Sequence, residues 1–188
     1  MKYSLAQMNS LDIYLSSLSN EKYDKIKHNI GVRDLNPLLL LSWDIFMDDY
    51  HKRVVEARKR VELEKVLSLA KQFNWQNDIE RAFIENDYEA LIVTDKDQNI
   101  IWVNDGFSAM TGYSKSFALN KTPRFLQGKK TSMKTKEKIK SKIALNQPFK
   151  DIIINHRKDN STYKCEVKII PLYNNETTHF IAFEKQII

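Results

Sequence analysis

Residues 102–114 read WVNDGFSAMTGYS, and within this segment a strand pattern gives way to a helix pattern. The apolar run that ends here, Ile100–Asn104, follows a similar β-branched run at Ala90–Thr94. Between the two runs lies a polar segment, Asp95–Asn99, with the composition of a turn. The sequence therefore predicts a β-hairpin whose second strand leads directly into a helix.

Beyond this segment the chain continues with short helices and then with strands. Helices are predicted at roughly Asp105–Met110, Lys115–Leu119 and Ser132–Leu145. Strands are predicted after Pro148, at Phe149–Arg157, Ser161–Leu172 and Thr178–Gln186, with Asn-containing turns at 158–160 and 173–176. Two strands, a helical insert and three more strands predict an α+β fold with a five-stranded antiparallel sheet. The central helices are expected to cover one face of that sheet.

The first eighty residues are predicted to form an all-helical region. Asn36-Pro37 combines an N-cap residue with proline at the first helical position. No glycine or proline interrupts His51–Phe73, where apolar residues recur at three- to five-residue spacing. These apolar residues are Val54, Ala57, Val61, Val66, Leu69 and Phe73. The opposite, charged face is predicted to comprise Lys52, Arg53, Arg58, Lys59, Glu62 and Lys65.

Two more helices are predicted in the same half of the chain, at Leu11–Ile30 and Gln76–Asn86. We divide the chain into a helical N-terminal extension, residues 1–80, and a sheet domain, residues 81–188. Because the central insert covers one sheet face only, the extension is the candidate cover for the other face.

The order of elements resembles that of PAS domains, and local motifs strengthen the resemblance. The strand-to-helix segment of PAS domains carries an Asn, then a Phe, then a Thr-Gly-Tyr-Ser turn, as residues 104–114 do. Residues 122–128, TPRFLQG, resemble the flavin-facing helix of the LOV (light-oxygen-voltage) subfamily. Residues 153–172 and 180–184 continue the match over about the last hundred residues. The chain resembles stand-alone PAS proteins of Bacteroidetes-type bacteria, which implies a PAS fold and a sensory or interaction role.

The LOV resemblance implies roles for individual residues. The photochemical cysteine of that subfamily falls on Pro123, which has no nucleophile. Arg124 matches a residue that grips the flavin phosphate, and Gln127 and Asn155 match amides at the ring. At the other positions Thr122 replaces an Asn, Lys140 an Arg, Cys165 an Asn and Glu184 a Gln. The candidate ligand-binding residues are therefore Thr122, Arg124, Gln127, Lys140, Asn155, Cys165 and Glu184.

These departures bear on the cofactor that the resemblance implies. An ionised Glu184 is expected to repel a flavin carbonyl and to lack the donor of an amide. FMN or FAD is thus an alternative occupant but not the favoured one, and we expect the protein to purify colourless. Enough apolar bulk is present to close the pocket, in Trp102, Phe107, Met110, Phe125, Ile152, Ile154, Ile169 and Phe183.

No pattern in the sequence predicts an enzyme or a metal site. The four glycines form no phosphate-cradling loop, and no Cys-x-x-Cys or His-x-x-x-His pair occurs. The one cysteine, Cys165, is expected to be inert, and His156 and His179 are expected to be exposed near strand ends. The absence of an eighteen-residue apolar run and of a signal-peptide core leads us to expect a cytoplasmic protein without a membrane span.

Two functions of different classes remain open. In the first, a non-catalytic PAS module docks a protein partner or dimerises, through its N-terminal helices or its sheet, under the influence of a pocket ligand. In the second, RNA or another polyanion binds the ten basic residues of segment 115–142, which only Glu137 opposes. The core of this basic patch is Lys129, Lys130, Lys134, Lys136, Lys138, Lys140 and Lys142. No aromatic residue interleaves with these lysines for base stacking, so the nucleic-acid alternative rests on phosphate attraction and is not favoured.

Overall fold

A computed structural model of the chain describes residues 18–26 and 38–187. The chain forms two compact units, Met1–Val55 and Glu56–Ile188. The residues from position 56 to position 80 therefore belong to the same compact unit as the sheet. None of the helices in the described ranges has both the length and the apolar character that a membrane span requires.

The helices are numbered here in chain order. They are α1 (Asn20–Ile26), α2 (Leu38–Phe73), α3 (Ile79–Glu85), α4 (Asp105–Thr111), α5 (Lys115–Ala118) and α6 (Met133–Ala144), with a 3₁₀ turn at Pro123–Leu126. The Asp78 carboxylate caps α3 by accepting a hydrogen bond from Arg81 N at 2.9 Å, which sets the start of this helix. Most of the helix predicted at residues 11–30, and the start signal at 36–37, lie outside the described residues.

Five strands form one antiparallel sheet in the order β2-β1-β5-β4-β3. They are β1 (Ala90–Asp95), β2 (Ile100–Val103), β3 (Phe149–His156), β4 (Thr162–Asn174) and β5 (Glu176–Ile187). The predicted fold class is confirmed. β4 and β5 run further than predicted because a single residue, Asn175, turns the chain at φ 62°, and Asn tolerates this left-handed conformation.

Both faces of the sheet contribute to buried cores. The face toward the helical insert, called the inner face, contributes to a core of Ala90, Ile92, Ile100, Val103, Phe107, Met110, Ala118, Leu126, Ile153, Tyr163, Cys165 and Val167. The outer face meets the C-terminal part of α2 and helix α3 in a second core of Val66, Leu69, Ala70, Trp75, Ile79, Tyr88, Leu91, Val93, Leu172, Ile181 and Phe183. Strand β1 is covered on both faces, which explains its continuous apolar run.

Asn104 fixes the junction between β2 and α4. Its Oδ1 accepts hydrogen bonds from Phe107 N and from Leu91 N, each at 2.9 Å. The first bond caps α4 and the second ties the helix start to β1. Gly106 is the second residue of α4, and a Cβ there would lie 1.7 Å from Glu89 O, so only glycine fits this approach.

Helix α2 packs the predicted apolar residues Val66, Leu69 and Phe73 against the sheet, but Glu62 and Val61 depart from the prediction. Glu62, expected on the charged face, is 7% exposed, whereas Val61, expected on the apolar face, is 66% exposed. Glu62 Oε1 accepts from Asn104 Nδ2 and Oε2 accepts from Tyr88 Oη, both at 2.9 Å. Because Glu62, Val66, Leu69, Ala70 and Phe73 lie on one stripe of the helix, Glu62 is buried on the same face as the apolar residues.

The expectation of an exposed His179 is also wrong. The imidazole is 8% exposed, and its Nδ1 accepts a hydrogen bond from Trp75 Nε1 at 3.2 Å. The Phe73 ring lies 4.2 Å from it, centroid to centroid. Burial lowers the pKa of His179, which favours the neutral ring in this aromatic cluster.

Candidate functional site

A cavity of about 410 Å³ lies at the inner face of the sheet, against the 3₁₀ turn and α6. Its wall is largely apolar, and the apolar side chains are Ile92, Pro123, Leu126, Met133, Ile139, Ile143, Ile153, Val167, Ile169, Phe180 and Ala182. Small-ligand pockets have volumes of roughly 300–1,000 Å³ and similarly apolar walls. The cavity therefore suits a small ligand with a mainly apolar body.

Buried and exposed polar groups line different parts of this cavity. Thr94, Asn155 and Glu184 are buried, and Gln127 is half-buried. The more accessible charged groups, called here the rim, are Arg124, Lys136, Glu137 and Lys140. None of the three rim cations has an ion-pair partner among the described residues. The rim therefore offers a net positive charge to a ligand.

The loop after the 3₁₀ turn is held against β3, which brings the Gln127 amide to the cavity. Thr131 Oγ1 donates to Ile154 O at 2.7 Å and accepts from Gly128 N at 2.9 Å. A Cβ on Gly128 would lie 2.7 Å from the His156 ring, so a larger residue there would displace this side chain.

Glu184 is the most unusual polar group in the cavity wall. Its side chain has one hydrogen-bond partner among the described residues, the Cys165 thiol, whose Sγ lies 3.6 Å from Oε2. No lysine or arginine in that part of the chain forms an ion pair with it. Burial without a counter-charge raises the pKa of Glu184 to about 7. The carboxyl group therefore exists largely as a neutral acid below neutral pH.

Two neighbouring groups on β4 share this environment. Cys165 is fully buried, and burial, together with the nearby Glu184, raises the pKa of its thiol far above the ordinary range. Tyr163 is 4% exposed, its hydroxyl has no hydrogen-bond partner within the described residues, and its pKa is likewise raised by burial. Both groups stay neutral at physiological pH, so neither supplies a charge to the cavity.

Comparison with known proteins agrees with the order of strands and helices in the structure. A family model described as "PAS domain" matches residues 89–185, just over half of the chain. The chain belongs to the PAS domain family. The matched residues include the helical insert and nearly all of the sheet, so the cavity is the internal pocket of the PAS domain.

Photoreceptors and a regulatory protein are among the relatives of this PAS domain. The blue-light photoreceptor of Listeria monocytogenes is 36% identical over 101 residues, which cover 52% of this chain and 40% of that protein. The nitrogen fixation regulatory protein of Klebsiella oxytoca is 31% identical over 106 residues, covering 55% of this chain and 21% of that protein. The LOV domain of a blue-light activated histidine kinase from Erythrobacter litoralis is 27% identical, with a TM-score of 0.51, over 54% of this chain and 98% of that one. The chain thus spans about a fifth to two fifths of the length of these two curated relatives.

The structure gathers most of the predicted ligand-binding residues around the PAS cavity. Arg124, Gln127, Lys140, Asn155 and Glu184 line it. Thr122 and Cys165 do not line it, since Thr122 precedes the 3₁₀ turn and the Cys165 thiol is packed into the sheet. Sequence reasoning missed Thr94 and Gln98, and it assigned Lys136 only to the basic patch. No local motif marks these residues, because the sheet and α6 bring them together from distant positions.

Most of the apolar residues named as bulk that could close the pocket do not line the cavity. Ile169 lines the cavity, whereas Phe107, Met110 and Phe125 pack in the core beside it. The other four residues lie elsewhere: Ile152 and Ile154 are exposed, and Trp102 and Phe183 pack in the core of the outer face. Successive strand residues point to opposite faces, so Ile153, between the two exposed isoleucines, is the one that reaches the cavity.

The predicted basic patch is divided among three environments. Lys138 and Lys142 both form ion pairs with Asp151, at 2.9 Å each, and these bonds lower the pKa of that carboxyl against the opposing effect of burial. Lys136 and Lys140 belong to the cavity rim. The remaining members, Lys129, Lys130 and Lys134, are exposed.

Proposed function

We propose that this PAS domain is a non-catalytic sensory module that binds a small ligand in its cavity. Occupancy of the cavity would then alter how the protein contacts a partner or a second copy of itself. The observation that carries this proposal is the open cavity of about 410 Å³, which has an apolar wall and few buried polar groups. Such a site suits recognition of one class of small molecule.

The chemistry of the site suggests the ligand class. The apolar wall favours a flat or compact apolar body, and Asn155, Gln127 and Glu184 can hydrogen-bond its polar edge. Arg124, Lys136 and Lys140 on the rim favour an anionic group such as a phosphate or a carboxylate. We therefore propose a ligand with an apolar body, a hydrogen-bonding edge and an anionic tail.

A flavin nucleotide is the second, more specific candidate. The ring would lie along the apolar wall with its polar edge toward Asn155 and Gln127, and the rim cations would hold the phosphate. Such a group, when bound, supplies absorption of blue light, and the names of the photoreceptor relatives favour it. Pro123 stands in the cavity wall, and the one cysteine, Cys165, does not line the cavity. We therefore propose no thiol adduct.

The absorption spectrum of freshly purified full-length protein tests both candidates, together with mass analysis of molecules released on heating. Flavin bands near one equivalent per chain would establish the second candidate. A colourless protein that releases a different anionic molecule would support the first candidate and reject flavin. A protein that releases nothing and binds no added FMN would contradict ligand sensing and leave a docking role.

Variants of α6 separate a rim contact from general charge attraction. Replacing Lys136 and Lys140 with Gln is expected to weaken binding of the released molecule, or of FMN, at least tenfold, because both line the cavity. Replacing the exposed Lys134 with Gln, on the same helix but outside the cavity lining, is the matched control and should leave the affinity unchanged.

A further inference from the structure

We propose that Glu184 is a proton-binding and specificity-determining residue of the cavity. In its neutral form it donates a hydrogen bond to an acceptor atom on the ligand, so the ligand and one proton bind together. The idea rests on the proposed function, because it needs a ligand in the cavity, but the state of Glu184 itself can be measured without one.

The placement of the carboxyl group is the first support. Glu184 is 5% exposed, lies on β5 between Ala90 of β1 and Val167 of β4, and lines the cavity. Oε2 interacts with the Cys165 thiol, a weak donor at a sulfur–oxygen distance of 3.6 Å. Oε1 has no hydrogen-bond partner in residues 18–26 and 38–187, so its hydrogen-bonding capacity is left for a ligand.

The charges around the carboxyl group are the second support. Tyr163 and Cys165 from β4 interact electrostatically with Glu184, and Arg124 from the 3₁₀ turn and Lys136, Glu137 and Lys140 from α6 line the same cavity. The neutral amide of Asn155 from β3 also lines it, and none of the three cations comes within 4.0 Å of the Glu184 carboxyl group to form an ion pair. Lys185, next in the chain, instead pairs with Asp87 at 2.6 Å.

A buried carboxylate without a cation is costly, and protonation removes that cost. A neutral carboxylic acid has one O–H donor and one carbonyl acceptor, the same two functions that a glutamine amide offers. The expected repulsion between Glu184 and a carbonyl therefore applies only to the ionised form. The neutral form selects ligands that present an acceptor, alone or beside a donor, at the buried wall.

The consequence is a defined pH dependence. With the pKa of Glu184 raised to about 7, roughly 90% of the chains hold the proton at pH 6 and about 3% hold it at pH 8.5. If only the neutral form binds, the apparent affinity falls in proportion to the neutral fraction, about 30-fold over this range.

The first measurement is infrared spectroscopy of the full-length protein without added ligand. We expect a protonated-carboxyl band at pH 6 that disappears by pH 8.5, is absent from Glu184→Gln and is retained by Glu89→Gln, the matched control at an exposed neighbouring glutamate. A spectrum without the band at pH 6, or with the band unchanged in Glu184→Gln, would overturn the assignment.

The second measurement is the affinity for FMN at the two pH values. The wild-type protein is expected to lose about 30-fold, while Glu184→Gln changes only as much as ionisation of the FMN phosphate requires. Equal pH dependence in both proteins would overturn the coupling. Failure to bind FMN at either pH, with the infrared band intact, would reject the flavin candidate and its coupling while supporting Glu184 as a proton site.

Discussion

Removal of the Glu62 carboxylate should destabilise the sheet domain, although the sequence predicts this residue on the charged, exposed face of its helix. In the structure Glu62 accepts hydrogen bonds from Tyr88 Oη and Asn104 Nδ2, both at 2.9 Å, and is 7% exposed. Glu62→Ala leaves the Tyr88 hydroxyl without its acceptor and Asn104 Nδ2 with only the longer bond to Glu89 O, at 3.2 Å. The substitution therefore removes two buried interactions at once.

The expected loss of stability follows from the two donors that lose an acceptor, the Tyr88 hydroxyl and the Asn104 amide. A buried donor that loses its partner costs about 1–3 kcal/mol, so the two together should lower the free energy of unfolding by about 3 kcal/mol. Glu64→Ala is the matched control, because it makes the same substitution two residues away at an exposed position. Its effect should lie within about 0.5 kcal/mol of zero. Glu62→Gln retains one carbonyl acceptor and should fall between the two.

Urea unfolding followed by tryptophan fluorescence provides the assay, since Trp75 and Trp102 both pack at the outer face of the sheet. The comparison requires equal dependence of the free energy on urea among the variants. A Glu62→Ala protein that is no less stable than Glu64→Ala, at an equal urea dependence, would refute the buried network as a source of stability.

Two further predictions concern stability. Val66→Ala, at a fully buried position of α2, should cost about 2 kcal/mol, while Val61→Ala, 66% exposed on the same helix, should cost less than about 0.5 kcal/mol in the same urea assay. The pKa of Glu184 is raised from its ordinary value of 4.5 to about 7, so the unfolded chain releases this proton at lower pH than the folded chain does. Stability relative to Glu184→Gln should therefore fall by about 2.5 kcal/mol from pH 5 to pH 8, and a flat difference would contradict the raised pKa.

The sheet and its insert could be predicted because their signals are local. Hairpin turns, capping residues and strand alternation each depend on a few neighbouring residues, and segment 102–114 contains several of them in order. The role of Asn104 illustrates this, because the same residue caps α4 and bonds to Leu91. The predicted ends of the strands were less accurate, because β4 and β5 extend as long as each finds backbone hydrogen-bond partners on the other.

The burial of Glu62 could not be predicted from the sequence of α2. A glutamate in a helix is normally a surface residue. The burial of Glu62 depends on two hydrogen-bond partners, Tyr88 and Asn104, that lie 26 and 42 positions further along the chain. The same limit applies to the cavity. Lys136 and Thr94 line the same cavity only because the sheet and α6 pack together, so no spacing in the sequence predicts their proximity to it.

The state of Glu184 shows why residue identity alone was a poor guide to the chemistry of the cavity. By comparison with an amide, a glutamate at this position suggests a negative charge, and that reasoning disfavoured a flavin carbonyl beside it. The fold changes the premise, because the carboxyl group is buried on β5 between β1 and β4, and its one hydrogen-bond partner among the described residues is a thiol. Its neighbour Phe183 points to the outer face and packs with α2 and α3 residues, so one strand carries the cavity acid on one side and the helix contact on the other. The two sides of β5 therefore connect the cavity wall to the packing of α2 and α3 on the outer face.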